Sequence, residues 1–151
     1  MIRDEQIEHE ETYPHPPERV WRALTDPAEL GVWLMPNDFA ALAGHKFTFD
    51  ARPDLGLIDG EVLDVQPHRL LRCRWSGVFG QTVVTFTLTP VPGGTRLRVT
   101  HGGWDGEGLA HRDGFDSVWH DKLTKDLAGL LSVRGTGKPF QAEGSAPYGE
   151  S

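Results

Sequence analysis

The sequence predicts an α+β fold in which a curved antiparallel sheet wraps around one long C-terminal helix. Residues 46–101 contain runs in which apolar and polar side chains alternate, as in strands with one buried face. Residues 114–131 carry apolar side chains at the spacing of an amphipathic helix. Because strands and helices are segregated along the chain, the simplest arrangement places the apolar face of the helix against the concave face of the sheet.

The N-terminal region predicts one strand followed by two short helices. Residues 6–13 alternate in polarity and end at a His-Pro-Pro sequence, which indicates a first strand. Pro17 suits the first turn of a helix that ends near Thr25. Asp26 is expected to cap a second short helix, whose buried side consists of Leu30, Trp33 and Leu34.

About five antiparallel strands are expected after these helices. Each run combines period-two polarity with flanking turn residues, and Pro92-Gly93-Gly94 is typical of the turn in a hairpin. The last three strands therefore form a meander. The predicted strands lie at 47–50, 58–65, 70–75, 81–89 and 96–101.

A helix from Gly114 to Leu131 is the element around which the predicted fold is organised. One face is charged and includes Asp121 and Lys125, which are spaced as a favourable helical pair. The other face, expected to pack on the sheet, consists of Phe115, Val118, Trp119, Leu123, Leu127, Leu130 and Leu131. We therefore place one domain at 1–133 and a flexible tail at 134–151, where the composition is rich in Gly.

Composition and charge exclude several classes of protein. A length of 151 residues is typical of one domain, and a net charge of −7 without a basic run argues against nucleic-acid binding. No apolar stretch has the length of a membrane span or the character of a signal peptide, so we expect a cytoplasmic protein without membrane insertion. Cys73 is the single cysteine, which excludes an intrachain disulfide.

Neither a metal nor another cofactor is expected. His101, His111 and His120 lie near the helix but lack the spacing of a zinc motif. The glycines around 102–108 also lack the order of a phosphate-binding loop, so they are interpreted as turn residues.

Several stretches of the chain resemble the START-like superfamily, which has the helix-grip fold. They are PPERVWRALTDPAELGVWL at 16–34, GEVLDVQPHRLLRCRW at 60–75 and TFTLTPVPGGTRLRVTHGGW at 85–104, together with the closing helix. More narrowly, they are similar to proteins related to the C-terminal domain of the activator of heat-shock protein 90 ATPase. The resemblance covers roughly residues 5–133. The resemblance implies the fold. Because the superfamily includes lipid carriers, hormone binders and aromatic polyketide cyclases, the resemblance does not indicate one function.

A curved sheet that grips one helix leaves space beneath the short helices, and this space is the predicted site. If Trp75 and Phe86 define the inward side of the strands, aromatic side chains either fill the core or line an apolar pocket. The sequence leaves both interpretations open. The predicted ligand-binding residues are Glu11, Trp33, Met35, Phe39, Phe49, Cys73, Trp75, Phe86, His101 and Trp119.

Two polar residues of this set have alternative roles. His101 either orients a ligand and exchanges protons near neutral pH or forms a structural hydrogen bond. Glu11 either forms the polar end of the pocket or lies exposed on an edge strand. Cys73 has apolar neighbours on its side of the strand, which predicts an inert thiol.

Three functions remain open at this point. The first is binding of a small, mainly hydrophobic molecule between the sheet and the C-terminal helix. The second is a cyclase-type or hydrolase-type enzyme that uses the same pocket, although no catalytic constellation is recognisable. The third is a co-chaperone-like interaction domain, which the resemblance alone suggests. The first strand also has an edge that would allow a homodimer, although Glu8 and Glu10 oppose close pairing.

Overall fold

The computed structural model describes residues 6–134 and has six strands and a long interrupted helix. The strands and the first two helices are β1 Ile7–Tyr13, α1 Pro17–Thr25, α2 Pro27–Trp33, β2 Lys46–Ala51, β3 Gly56–Gln66, β4 Leu70–Gly77, β5 Gly80–Val91 and β6 Gly94–Gly102. After a short turn of 3₁₀-helix at Gly106–Gly108, the long helix consists of α3 Leu109–Asp121, a π-helical segment Lys122–Leu127 and α4 Ala128–Arg134.

One antiparallel sheet contains all six strands in the order β1-β6-β5-β4-β3-β2. Strands β2 to β6 pair in chain order, and β1 joins the far edge beside β6. The predicted α+β helix-grip fold is confirmed: the sheet carries the long helix on its inward side, and two short helices follow the first strand. None of the helices within residues 6–134 has both the length and the apolarity needed to cross a membrane.

Strand β3 departs from simple alternation at Leu63. Val62 pairs with Cys73 and Asp64 pairs with Arg72, so Leu63 is the extra residue of a β-bulge. The bulge shifts the side-chain parity, and Val65 consequently packs against the core on the same side as Val62. Strict period-two alternation predicted that Val62 and Val65 lie on opposite faces of the sheet.

The long helix begins at Leu109, five residues before the predicted start at Gly114. Its apolar positions Phe115, Trp119, Leu123, Leu127 and Leu131 repeat every four residues, and all of them are buried. In a regular α-helix each such step exceeds a full turn by roughly 40°, so five positions would drift away from the sheet. Because a π-helical turn is wider, the segment Lys122–Leu127 corrects this drift and keeps the stripe facing the sheet.

The two short helices are joined by buried polar contacts as well as by apolar packing. Asp26 caps α2 as predicted, and its side chain accepts a hydrogen bond from the Glu29 backbone N–H at 3.1 Å. The Glu29 carboxylate is buried and lies 2.8 Å from the Arg19 guanidinium and 3.1 Å from that of Arg22. These contacts join the first turn of α2 to α1.

Candidate ligand cleft

A cleft of about 520 Å³ opens between the first half of the long helix, the end of α2 and the turn between β2 and β3. Its volume lies within the usual range for small-molecule sites, roughly 300–1,000 Å³. Its apolar lining includes Trp75 of β4. The other apolar or small lining residues are Leu34, Met35, Ala51, Leu55, Ala110, Gly114, Phe115, Val118 and Trp119.

The floor of the cleft is aromatic and rigidly packed. The ring centroids of Trp75 and Trp119 are 5.8 Å apart, and those of Trp75 and Phe115 are 6.5 Å apart. All three side chains are buried, so only limited parts of their rings face the cleft. The rings of Trp119 and Phe115 are tilted by 31° and 58° relative to Trp75, so they form an uneven apolar surface whose shape is set by the core behind it.

Four polar residues lie among the apolar residues of the lining, namely Arg52, Asp54, His111 and Lys122. The Arg52 guanidinium donates to Asp50 through Nε at 3.0 Å and Nη2 at 2.8 Å, and these hydrogen bonds hold the pKa of Asp50 down at about 2. Lys122 Nζ lies 3.3 Å from Asp126. Within residues 6–134, the side chains of Asp54 and His111 form no hydrogen bond or ion pair. Donors and an acceptor are therefore present beside the aromatic floor.

A second region, which we call the sealed core, lies behind the same tryptophans and is centred on His101. Trp119 Nε1–H donates to His101 Nδ1 at 3.1 Å. Since indole nitrogen is only a donor, Nδ1 must be the unprotonated nitrogen, and Nε2–H donates to Thr82 Oγ1 at 2.8 Å. The Thr82 hydroxyl in turn donates to the Trp75 carbonyl at 3.3 Å. Every polar side-chain group in this series of hydrogen bonds has a partner.

Burial determines the protonation of His101. Its side chain has no exposure to solvent, and loss of hydration lowers its pKa from 6.5 to about 3. The ring is also covered by Trp104, whose ring centroid lies 4.4 Å away and whose Nε1 donates to the His101 carbonyl at 2.8 Å. His101 is therefore neutral near pH 7, and both of its ring nitrogens are occupied by protein partners.

The predicted site residues separate into two groups in the structure. Met35, Trp75 and Trp119 line the cleft. The other predicted residues do not line it. Those buried in the core are Trp33, Phe39, Phe49, Cys73, Phe86 and His101, and Glu11 is half-buried on β1.

Each residue outside the lining has a physical reason for its position. Glu11 lies on β1, at the opposite edge of the sheet from β2, whose turn borders the cleft. Trp33 points into the interface with α1 and donates from Nε1 to the Ala23 carbonyl at 2.8 Å. Burial raises the pKa of the Cys73 thiol to about 12, so it is protonated at neutral pH. Participation of any of these residues in ligand binding stays a prediction.

Val118 differs from its predicted place on the buried stripe of the helix. Its side chain is 48% exposed and lines the cleft. Val118 follows Phe115 by three residues and precedes Trp119, and this position puts it at the border of the face that contacts the sheet. An apolar side chain is thus left beside the opening.

Sequence reasoning missed the polar residues of the cleft and its small residue Gly114. A usable signal was present on the helix, because His111, Gly114, Val118 and Lys122 recur at steps of three and four residues along one flank. No comparable signal marks Arg52 and Asp54, since they come from a turn whose position relative to the helix is set by tertiary packing.

Another polar contact ties the first strand to the helix through residues that do not line the cleft. His9 Nε2 lies 2.8 Å from Asp116 Oδ1, and the His9 and His120 ring centroids are 6.2 Å apart. In the part of the chain that the structure describes, no three His, Cys, Asp or Glu side chains are grouped as metal ligands.

Comparison with known families identifies the fold family directly. The family model described as activator of Hsp90 ATPase homolog 1-like protein matches residues 14–131. The chain belongs to this family. The match contains α1, the whole β2–β6 meander and most of the long helix, and therefore includes all the residues that line the cleft.

Solved structures give the same result. Protein MLL2253 from Mesorhizobium loti is 36% identical with a TM-score of 0.78, and the match covers 85% of this chain and 97% of that one. DynU16, from the dynemicin biosynthetic locus, is 29% identical with a TM-score of 0.74. The match covers 91% of this chain and 49% of DynU16.

A third structure, the Aha1 dimer from Colwellia psychrerythraea, is 23% identical with a TM-score of 0.71, and the match covers 86% of this chain and 96% of that one. This similarity shows the fold alone. No curated protein matches the chain.

Proposed function

We propose that the cleft of this family member binds a small, mainly apolar molecule. The observation that carries the proposal is the combination of an open volume of about 520 Å³ with a floor of buried aromatic rings. An apolar molecule that covers such a surface releases the water in contact with it. The gain in free energy is roughly 25 cal/mol per Å² of apolar surface buried. The ligand lies over Trp75 and Trp119, between the β2–β3 turn and α3.

Two further observations support binding of a small molecule. The floor is pre-formed, because hydrogen bonds within the sealed core hold the Trp119 ring and so reduce the ordering that binding requires. DynU16 is encoded in a biosynthetic locus for dynemicin, so one relative of this chain occurs beside the synthesis of a small molecule.

Blocking the cleft tests the proposal. A Cβ atom built on Gly114 has no neighbour within 4 Å, so Gly114→Phe adds a ring to the cleft without a clash at its first carbon. We expect this variant to bind the neutral fluorescent probe N-phenyl-1-naphthylamine at least about tenfold more weakly than wild type. Fluorescence titration gives the dissociation constants, and thermal unfolding confirms that the variant is folded.

Gly129→Phe is the matched control. Gly129 is also a helical glycine with no neighbour within 4 Å of a built Cβ atom, but it does not line the cleft. Its probe affinity should equal that of wild type. Absence of probe binding to wild type, or equal affinity in the two folded Phe variants, would contradict binding in the cleft.

The alternative functions and the homodimer stay predictions. A co-chaperone role is suggested by the family description, and the Aha1 relative from Colwellia psychrerythraea is a dimer. An enzyme that uses the cleft would have Asp54 and His111 available, because neither is engaged by another residue of the described chain. We prefer ligand binding because it requires only the cleft and its aromatic floor, whereas a co-chaperone role also requires a protein partner.

A further inference from the structure

The polar residues of the cleft carry information about its ligand that the apolar floor does not. Three of the four polar lining residues, Arg52, His111 and Lys122, can donate hydrogen bonds, and two of these are permanent cations. A cleft for a purely apolar molecule has no use for cations beside its floor, since covering them without a partner is unfavourable.

Both cations keep donors available after their contacts with the protein are counted. An arginine has five N–H donors, and Asp50 accepts from Nε and Nη2, so the Nη1 group of Arg52 is not used in this pair. A lysine has three donors, and in the described part of the chain Asp126 is the single carboxylate paired with Lys122. Asp50 and Asp126 do not line the cleft. They therefore orient the cations from outside it.

The two cations come from different walls of the cleft. Arg52 follows β2 in the turn to β3, whereas Lys122 is the first residue of the π-helical segment. The aromatic floor lies within the same cleft, so one molecule can contact rings and cations together. Charge-assisted hydrogen bonds of this kind are about twice as strong as neutral ones, which gives them weight in ligand selection.

We propose that the cleft selects aromatic molecules that carry an acidic group, such as a carboxylate, sulfonate or ionised phenol. Arg52 and Lys122 donate hydrogen bonds to the acidic group, and the aromatic body lies on the floor formed by Trp75 and Trp119. This inference rests on the proposed function, because it needs a ligand in the cleft.

Among the residues that the structure describes, Asp54 is the one carboxylate in the lining, and it opposes this selection. Asp54 and Arg52 are both exposed on the turn, where water screens their charges, whereas Lys122 is half-buried on the helix. Asp54→Asn should consequently strengthen binding of an anionic ligand, by about twofold for a screened charge near the mouth.

A pair of fluorescent probes with one aromatic skeleton tests the proposal. The anion 8-anilinonaphthalene-1-sulfonate differs from neutral N-phenyl-1-naphthylamine by its sulfonate. We expect wild type to bind the anion more tightly, and the double variant Arg52→Gln/Lys122→Gln to lose about tenfold in affinity for the anion while its affinity for the neutral probe changes less than about twofold.

Matched substitutions control for the loss of two positive charges. Lys125 is exposed on the same helix and lies 3.8 Å from Asp121, and Arg98 is exposed on β6 and lies 2.9 Å from Glu8. Neither lines the cleft. The double variant Arg98→Gln/Lys125→Gln should retain the wild-type affinity for both probes.

The outcomes separate this inference from the proposed function. If the neutral probe binds and Gly114→Phe blocks it, but the anion shows no preference that depends on Arg52 and Lys122, the acidic-group inference is overturned and cleft binding stands. If neither probe responds to Gly114→Phe, both proposals are overturned. Dodecanoate provides a further arm: displacement of the anionic probe by this aliphatic acid at lower concentration than by 1-naphthoate would overturn the preference for an aromatic body.

Discussion

The sealed core and the cleft lie on two sides of the same pair of tryptophans and differ in how their polar groups are satisfied. On the side of β6, the ring of Trp119 donates to His101, Thr82 completes the series of hydrogen bonds, and Trp104 covers it. On the side of the β2–β3 turn, the corresponding space is open and its polar side chains face solvent. One side is filled by protein groups, and the other is the open cleft for which we propose a ligand.

This contrast shows that aromatic content alone does not distinguish a core from an open cleft. His101 has the chemistry of a functional residue, but it is completely buried and both of its ring nitrogens have protein partners. Gly114 has no side-chain chemistry, yet its small size keeps the cleft open. Space and unused hydrogen-bonding capacity mark the site, and substitutions in the two regions should therefore affect different properties.

Replacing His101 should give the largest loss of stability. His101→Leu leaves the buried Trp119 N–H and the Thr82 hydroxyl without the imidazole partner. We expect the free energy of unfolding to fall by about 3 kcal/mol or more, measured by urea denaturation. His120→Leu, on the exposed face of the same helix, should change it by less than about 0.5 kcal/mol. Equal losses in the two variants would contradict a structural role for the sealed core.

Acid should destabilise the protein through the same histidine. The pKa of His101 is about 3 in the folded state and 6.5 in its ordinary environment, so below pH 6.5 the unfolded chain binds the proton and the folded chain does not. This contribution to stability is complete above pH 6.5 and is lost as the pH falls toward 3, by at most about 1.4 kcal/mol per pH unit.

Urea denaturation of wild type and His101→Gln, from neutral pH to about pH 4, measures this contribution. The stability of wild type should decrease more steeply with falling pH than that of the variant. The same slope in both proteins would show that other groups cause the acid sensitivity.

Trp119→Phe should separate stability from binding, because Trp119 belongs to both regions. Phenylalanine retains an aromatic ring at the floor but cannot donate to His101 Nδ1. We expect a loss of about 1–3 kcal/mol in the free energy of unfolding and a change of less than about threefold in affinity for N-phenyl-1-naphthylamine. A large loss of affinity with unchanged stability would reverse the assignment of the hydrogen bond to the sealed core.

Adding one methyl group at Gly114 should give the smallest change in the free energy of unfolding. The sign of this change shows whether the space beside Gly114 is open or packed. Gly114→Ala is expected to stabilise the helix by about 0.5–1 kcal/mol, because alanine is the better helix former and its Cβ meets no neighbour. In Gly60→Ala, by contrast, the new Cβ would overlap the Phe47 ring, and we expect a loss of about 1–3 kcal/mol.

Thermal or urea unfolding of these two alanine variants and of wild type measures both signs. Destabilisation by Gly114→Ala would indicate that the cleft is closed in solution.

Most of the fold could be predicted because periodic polarity is a local property. The alternation in β4, the turn at Gly93 and the cap at Asp26 each depend on a few neighbouring residues, and each is present in the structure. Departures from these periods were harder to recognise. The bulge at Leu63 and the π-helical segment at Lys122–Leu127 are choices between nearly equivalent local geometries, and packing of the sheet against the helix selects between them.

Local sequence patterns were enough to locate the strands and helices and to show that one long helix must be covered by a sheet. Which aromatic rings contact one another, and which of them border the cleft, depends on how these elements pack together. Met35, Trp75 and Trp119 were predicted to bind a ligand and line the cleft, but Arg52, Asp54, His111 and Lys122 were recognised only after folding. The physical reason is that a cleft is a property of surfaces distant in sequence, whose separation depends on packing rather than on local preference.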